Sequence, residues 1–196
     1  PTMATVLAEP EVVEIHDDGE GPLFEIVDGV RVEKTMSMVA QWSGSQISRL
    51  VANYIEDDGP GGFVVTETFI ACFDWAPGTK RRPDVAYWHA HQFPDGLPER
   101  GEATTAPAWC IEVVSPGDNA EALEEKVAEY FRAGVELVWI VIPATRSVRT
   151  ERPDGSAHVY RGDQALTADP VLPTFTAPVA RLFPKTAATP SASEPD

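Results

Sequence analysis

Ala108-Trp109-Cys110-Ile111-Glu112-Val113-Val114, residues 108–114, is the stretch whose reading decides the fold. All but one of its residues are apolar, so it reads as a strand covered on both faces, the kind found at the centre of a sheet layered with helices. The exception is Glu112. A carboxylate in such a place is costly unless it is paired, protonated or bound to a cation.

The elements around it follow from pattern. Ser115-Pro116-Gly117-Asp118 is a turn leading into a helix over residues 119–133, with Leu123, Val127, Tyr130 and Phe131 as its apolar stripe and Gly134 as its C-cap. Residues 137–142 form a short apolar strand closed by Pro143. Upstream, residues 63–73 and 82–88 read as strands. Ile47, Leu50, Val51, Tyr54 and Ile55 recur at helical spacing before the loop Asp57-Asp58-Gly59-Pro60-Gly61-Gly62. The order is helix, three strands, helix, strand: an α/β core with a mixed sheet flanked by helices.

Two hairpins are expected beyond that core. The N-terminal one pairs residues 23–27 with 30–35 around Asp28-Gly29. The C-terminal one pairs residues 147–151 with 157–161 around Pro153-Asp154-Gly155. Residues 1–20 read as a flexible acidic arm, 21–185 as one domain and 186–196 as a disordered Thr/Ala/Pro/Ser tail.

The chain has 196 residues and a net charge of −16, from 15 basic and 31 acidic residues. That field repels nucleic acid at long range and argues against a nuclease. The charge is uneven, however. Lys80, Arg81 and Arg82 precede Asp84, which allows a local basic rim that meets nucleic acid. No apolar run approaches the length that crosses a membrane, and no charged-then-apolar leader opens the chain. The two cysteines, Cys72 and Cys110, lie in apolar runs and read as buried thiols; a cytoplasmic location is the simplest inference.

Three residues carry the chemistry. Asp84 opens its strand after Arg81-Arg82-Pro83. If the strands of Asp84 and Glu112 are neighbours, the two carboxylates converge on one divalent ion, with the Val113 carbonyl as a further ligand. Mg²⁺, or Mn²⁺, suits such hard oxygens and keeps waters, one of which serves as nucleophile. Lys126 falls roughly 85° from the centre of its helix stripe. From there its stem can run along the sheet and bring the ammonium to a strand end. Asp84 and Lys126 have plainer readings, a turn cap and a solvated helix residue, and residues 80–82 read equally as a strand-edge gatekeeper run, whereas the apolar neighbours of Glu112 leave it little structural reason. Ser115 reads as a turn serine rather than a nucleophile, and His89 with His91 as a surface pair.

Phe24-Glu25-Ile26-Val27-Asp28-Gly29, Arg82-Pro83-Asp84-Val85, Ile111 through Asp118, Lys126 through Val135 and Trp139 through Pro143 together resemble the motifs of the Uma2 (DUF820) family. The resemblance spans roughly residues 20 to 184. It implies a restriction endonuclease-like fold of the PD-(D/E)XK superfamily, with Asp84 and Glu112 in the two acidic positions. The superfamily lysine would fall at Val114 and is absent; the resemblance implies that Lys126 substitutes and that Glu25 completes the site. No histidine lies between Ser37 and Arg49, where many relatives carry one. The function implied is Mg²⁺-dependent endonucleolytic cleavage of DNA, with pairing into a homodimer by analogy to small nucleases. Two other readings stay open: a catalytically silent interaction module on the same fold, and a hydrolase of small phosphoesters.

Overall fold

A computed structural model describes residues 21–57 and 59–185. The acidic arm, the tail and Asp58 lie outside the described residues. The Asp28-Gly29 turn, with φ of 50° and 77°, closes a hairpin of β1 (Phe24–Val27) and β2 (Val30–Glu33). The long helix α1 (Met38–Asp57) follows. It buries Ala40, Gly44, Ile47 and Val51, the three- and four-residue spacing of one helical face.

The central sheet comes next: β3 (Phe63–Thr66), β4 (Val85–Trp88), β5 (Trp109–Val113), the helix α2 (Ala120–Ala133), then β6 (Leu137–Ile142), β7 (Ser147–Glu151) and β8 (Ala157–Arg161). Six strands pair in chain order, all antiparallel except β5 with β6. That parallel pair is joined by α2, the helical crossover that two parallel neighbours require. Asn119 caps α2 by accepting from Glu121 N and Ala122 N, and Gly134 ends it at φ 103°.

Alternation along the strands sorts two cores. Val85, Tyr87, Trp109, Ile111, Leu137, Trp139 and Val141 face α1. Ala86, Trp88, Cys110, Val138 and Ile140 face α2, against Val127 and Tyr130. The second hairpin is β7 and β8, and it extends the central sheet instead of standing apart from it.

Two expectations need correction. The strand expected over 63–73 stops at Thr66, because Glu67 takes the left-handed conformation, φ 51°, and turns the chain out of the ladder. Ile70 afterwards bridges to Arg81 and Ala103. The strand expected over 82–88 starts at Val85, since Pro83 has no N–H to give a ladder. A further hairpin, β9 (Ala165–Ala168) with β10 (Leu172–Pro178), had no counterpart in the sequence reading. It buries Leu166, Ala168, Leu172, Phe175 and Ala177 in the α1-side core.

Candidate active site

The β4–β5 register pairs Val85 with Ile111 and Ala86 with Cys110. Continued by one residue, it sets Asp84 opposite Glu112. Period-two alternation then places both carboxylates on the face that α2 covers. Both residues are buried, each 6% exposed. Like charges facing each other across a pair of strands repel, so cations have to intervene.

Two lysines do. Lys126 and Tyr130, four apart on α2, share a helix face above Glu112. Lys126 Nζ lies 2.8 Å from Glu112 Oε2 and 2.6 Å from Glu25 Oε1, while the Tyr130 hydroxyl donates to Glu112 Oε1 at 2.7 Å. Lys126 is therefore 7% exposed instead of resting on the border of the buried face. Lys34 reaches the other acid. Its ammonium donates to Asp84 Oδ1 at 2.8 Å, Glu67 Oε2 at 3.0 Å and the Arg82 carbonyl at 2.7 Å. Asp84 Oδ2 accepts from Val113 N.

The N-terminal hairpin delivers Glu25 and Lys34. It is docked by reciprocal bonds between Ile26 and Lys80, N to O at 2.9 and 2.7 Å, and by the Asp28 amide donating to Thr79 Oγ1. Beyond β2, Thr35 donates to Asp118 Oδ1 and Ser37 N donates to Ser115 Oγ. Asp118 Oδ2 also accepts from Ser115 N, so Ser115 serves the turn, in keeping with its sequence reading. These contacts tie the hairpin to the β5–α2 turn across a cavity of about 360 Å³ lined by Glu25, Lys34, Arg81, Asp84, Glu112 and Lys126.

The basic run is not a rim. Arg81 is buried, with Nη1 3.2 Å from Glu25 Oε2 and Nε 2.6 Å from Glu129 Oε2. Arg82 is 4% exposed and stacks on Phe69 with its guanidinium 3.9 Å from the ring centre. Its amide donates to Glu25 Oε1 at 2.8 Å. Only Lys80 is partly exposed, and it pairs with Glu102 at 2.8 Å. The guanidiniums are consumed by internal acids and rings. His89 and His91 stack at 5.2 Å and do not line the cavity.

The electrostatics follow. Burial pushes Glu112 up despite the Lys126 ammonium beside it. Glu25 is equally buried, yet Lys126, the Arg82 amide and Arg81 outweigh desolvation and hold its carboxyl below the usual range. Burial would lower Lys126, but Glu112, Glu25 and Asp84 together raise it, so it stays protonated. Lys34 is raised in the same way, chiefly by Asp84. Glu67 is pushed up to about 7 by burial and by Asp84, with Lys34 opposing.

Lys34 and Glu67 went unread in the sequence. Lys34 sits in a hairpin exit that looks like surface, and Glu67 was hidden inside an apparent continuous strand. The one available signal was an acid interrupting a β-branched run at Thr66-Glu67-Thr68.

The donors around Asp84 are hard oxygens. Among the described residues, no group of three or more His, Cys, Asp or Glu is placed to hold a metal ion. Two carboxylates and a carbonyl are a smaller set, and they suit Mg²⁺, which is usually bound by one or two carboxylates and keeps several waters. The continued register puts Pro83 opposite Val113, and proline has no N–H to offer its carbonyl. A cation arriving there competes with Lys34 and Lys126 for the same oxygens.

An α-β-β-β-α-β core whose two facing acids open onto a cavity at the ends of two central strands places the protein in the restriction endonuclease-like class. Within that class the chain belongs to the Uma2 family, described as "Putative restriction endonuclease", which it matches over residues 10–180. Among solved structures it is similar to a DUF820 protein of Anabaena variabilis titled a putative nuclease. That likeness has a TM-score of 0.69 at 19% identity and covers 83% of this chain and 90% of that one. No curated protein matches.

Proposed function

We propose that this protein is a divalent-metal-dependent endonuclease that hydrolyses phosphodiester bonds of DNA, with Asp84, Glu112 and the Val113 carbonyl holding Mg²⁺ or Mn²⁺. The observation that carries the reading is the pairing of Asp84 with Glu112 across β4 and β5, with the Lys126 ammonium 2.8 Å from the second acid. When bound, the cation would polarise a phosphoryl oxygen and acidify a water.

The chain's own groups supply the rest. Lys126 stays protonated, so it cannot act as a base; it offsets negative charge developing on phosphoryl oxygens. Glu25 and Tyr130 position it and Glu112. Lys34, donating to Asp84 Oδ1, holds that carboxylate at the cavity wall. A silent interaction module would have no need of a buried acid pair sustained by one buried and one half-buried ammonium, an arrangement that is costly to desolvate.

The test combines binding and cleavage. Calorimetry should show Mn²⁺ binding to the wild type and its loss in Asp84→Ala. DNA nicking with Mg²⁺ or Mn²⁺ should fall by at least about 100-fold in Lys126→Ala, if the ammonium stabilises the transition state as such donors do. Nicking that survives unchanged in Glu112→Ala or Lys126→Ala would sink the assignment.

A further inference from the structure

With Arg81 and Arg82 committed to the interior, the surface that meets nucleic acid has to be found elsewhere. A groove of about 750 Å³ runs between α1 and the segment following β10, and its walls include Trp42, Arg49, Arg146, Arg181 and Lys185 with Asp163 as the only acid. Four of the chain's 15 Lys and Arg residues thus line one groove of a molecule whose net charge is −16. Among the described residues none of the four pairs with a carboxylate. Arg49 donates to Gln46 Oε1 at 2.8 Å, and Arg146 donates to the Pro184 carbonyl at 2.9 Å. Arg49, Arg181 and Lys185 are exposed.

Trp42 adds the second component. It is 41% exposed, whereas Trp88, Trp109 and Trp139 are each at most 1% exposed, so it is an indole the core does not use. Gln46 Nε2 donates to the Arg181 carbonyl at 3.1 Å and holds the two walls of the groove together.

The geometry points to this groove as a binding site for single-stranded nucleic acid, with Arg49, Arg146, Arg181 and Lys185 on successive phosphates and Trp42 stacked on a base. Positive grooves with an interleaved aromatic bind single strands in this way, because every base offers a π face while a duplex hides it. The choice of ligand rests on the nuclease reading; the groove's charge and its free indole do not. A local positive groove also answers the objection raised by the overall charge, since at physiological salt fields are screened beyond about 8 Å.

Fluorescence anisotropy with a labelled oligothymidylate tests it on the full chain in EDTA, where no metal-dependent cleavage intervenes. Four phosphate contacts predict that raising salt from about 50 to 200 mM weakens binding roughly 50-fold. Trp42→Ala should weaken it about 5- to 150-fold, with Trp42→Phe largely restoring it. Arg49→Glu with Arg181→Glu should abolish it while far-UV circular dichroism stays unchanged, and Arg100→Glu, a charge reversal at an exposed residue outside the groove, should bind as the wild type does. The proposal is overturned by the absence of binding at about 50 mM salt, or by groove variants that bind like the wild type. Binding that appears only after removal of residues 1–20 would likewise overturn it, making that acidic segment the occupant. DNA cleavage by a protein whose groove variants bind normally would defeat the groove and leave the nuclease reading intact. Groove-dependent binding without cleavage under any metal would do the reverse.

Discussion

At the scale of single residues, two lysines, one buried and one half-buried, decide what the acids can be. Lys126 serves Glu25 and Glu112; Lys34 serves Asp84 and Glu67. Glu67 is the group this arrangement leaves most unsettled, and its carboxyl is pushed up to about 7. In the unfolded chain it titrates near 4.5, so between about 4.5 and 7 the folded state holds a proton that the unfolded state has released. Its contribution to stability is therefore present below that window and lost as pH rises through it. Urea midpoints measured from pH 4.5 to 7.5 should fall in the wild type and fall less in Glu67→Gln. Parallel profiles for the two proteins would show that Glu67 does not hold the proton. Glu25 has the opposite sign, and its contribution disappears as pH drops.

At the scale of elements, the site depends on where strands end. Pro83 ends the β4 ladder at Asp84, whose carbonyl still accepts from Glu67 N at 3.3 Å; the left-handed Glu67 stops β3 and turns its carboxylate toward Lys34. The entry to β3 is as constrained as its exit. Gly62 has φ 115°, and a Cβ there would lie 2.5 Å from the Trp88 carbonyl oxygen. Gly62→Ala should therefore destabilise the fold by more than about 1 kcal/mol, since both backbone and space oppose it. A thermal midpoint equal to that of the wild type would mean the loop re-routes without cost. The hairpin and core order were legible because Asp28-Gly29, the helix caps and the apolar runs are local signals. The β9–β10 hairpin was not, because its Ala, Thr and Pro residues dilute an alternation that only packing against Trp109 and Trp139 makes visible.

At the scale of the whole molecule, a net charge of −16 is a standing self-repulsion that salt relieves. The buried pairs of the site are shielded from solvent and screened far less. The melting temperature should accordingly rise between about 10 and 150 mM NaCl. A decline over that range would place more stability in partly exposed pairs such as Lys80–Glu102 than in relief of the net charge.

The sequence by itself determined the order of the core elements and singled out Asp84 and the oddity of Glu112, because periodicity, caps and a buried charge are properties of neighbouring residues. Tertiary structure alone decided which cations meet which acids. It brought Lys34 from a distant hairpin to Asp84, buried Lys126 between two glutamates, and drew Arg81 and Arg82 inward while leaving Arg49, Arg146, Arg181 and Lys185 on one groove. Ion pairs form between residues remote in the chain, and their partners are chosen by strand register and helix placement, which no local pattern records.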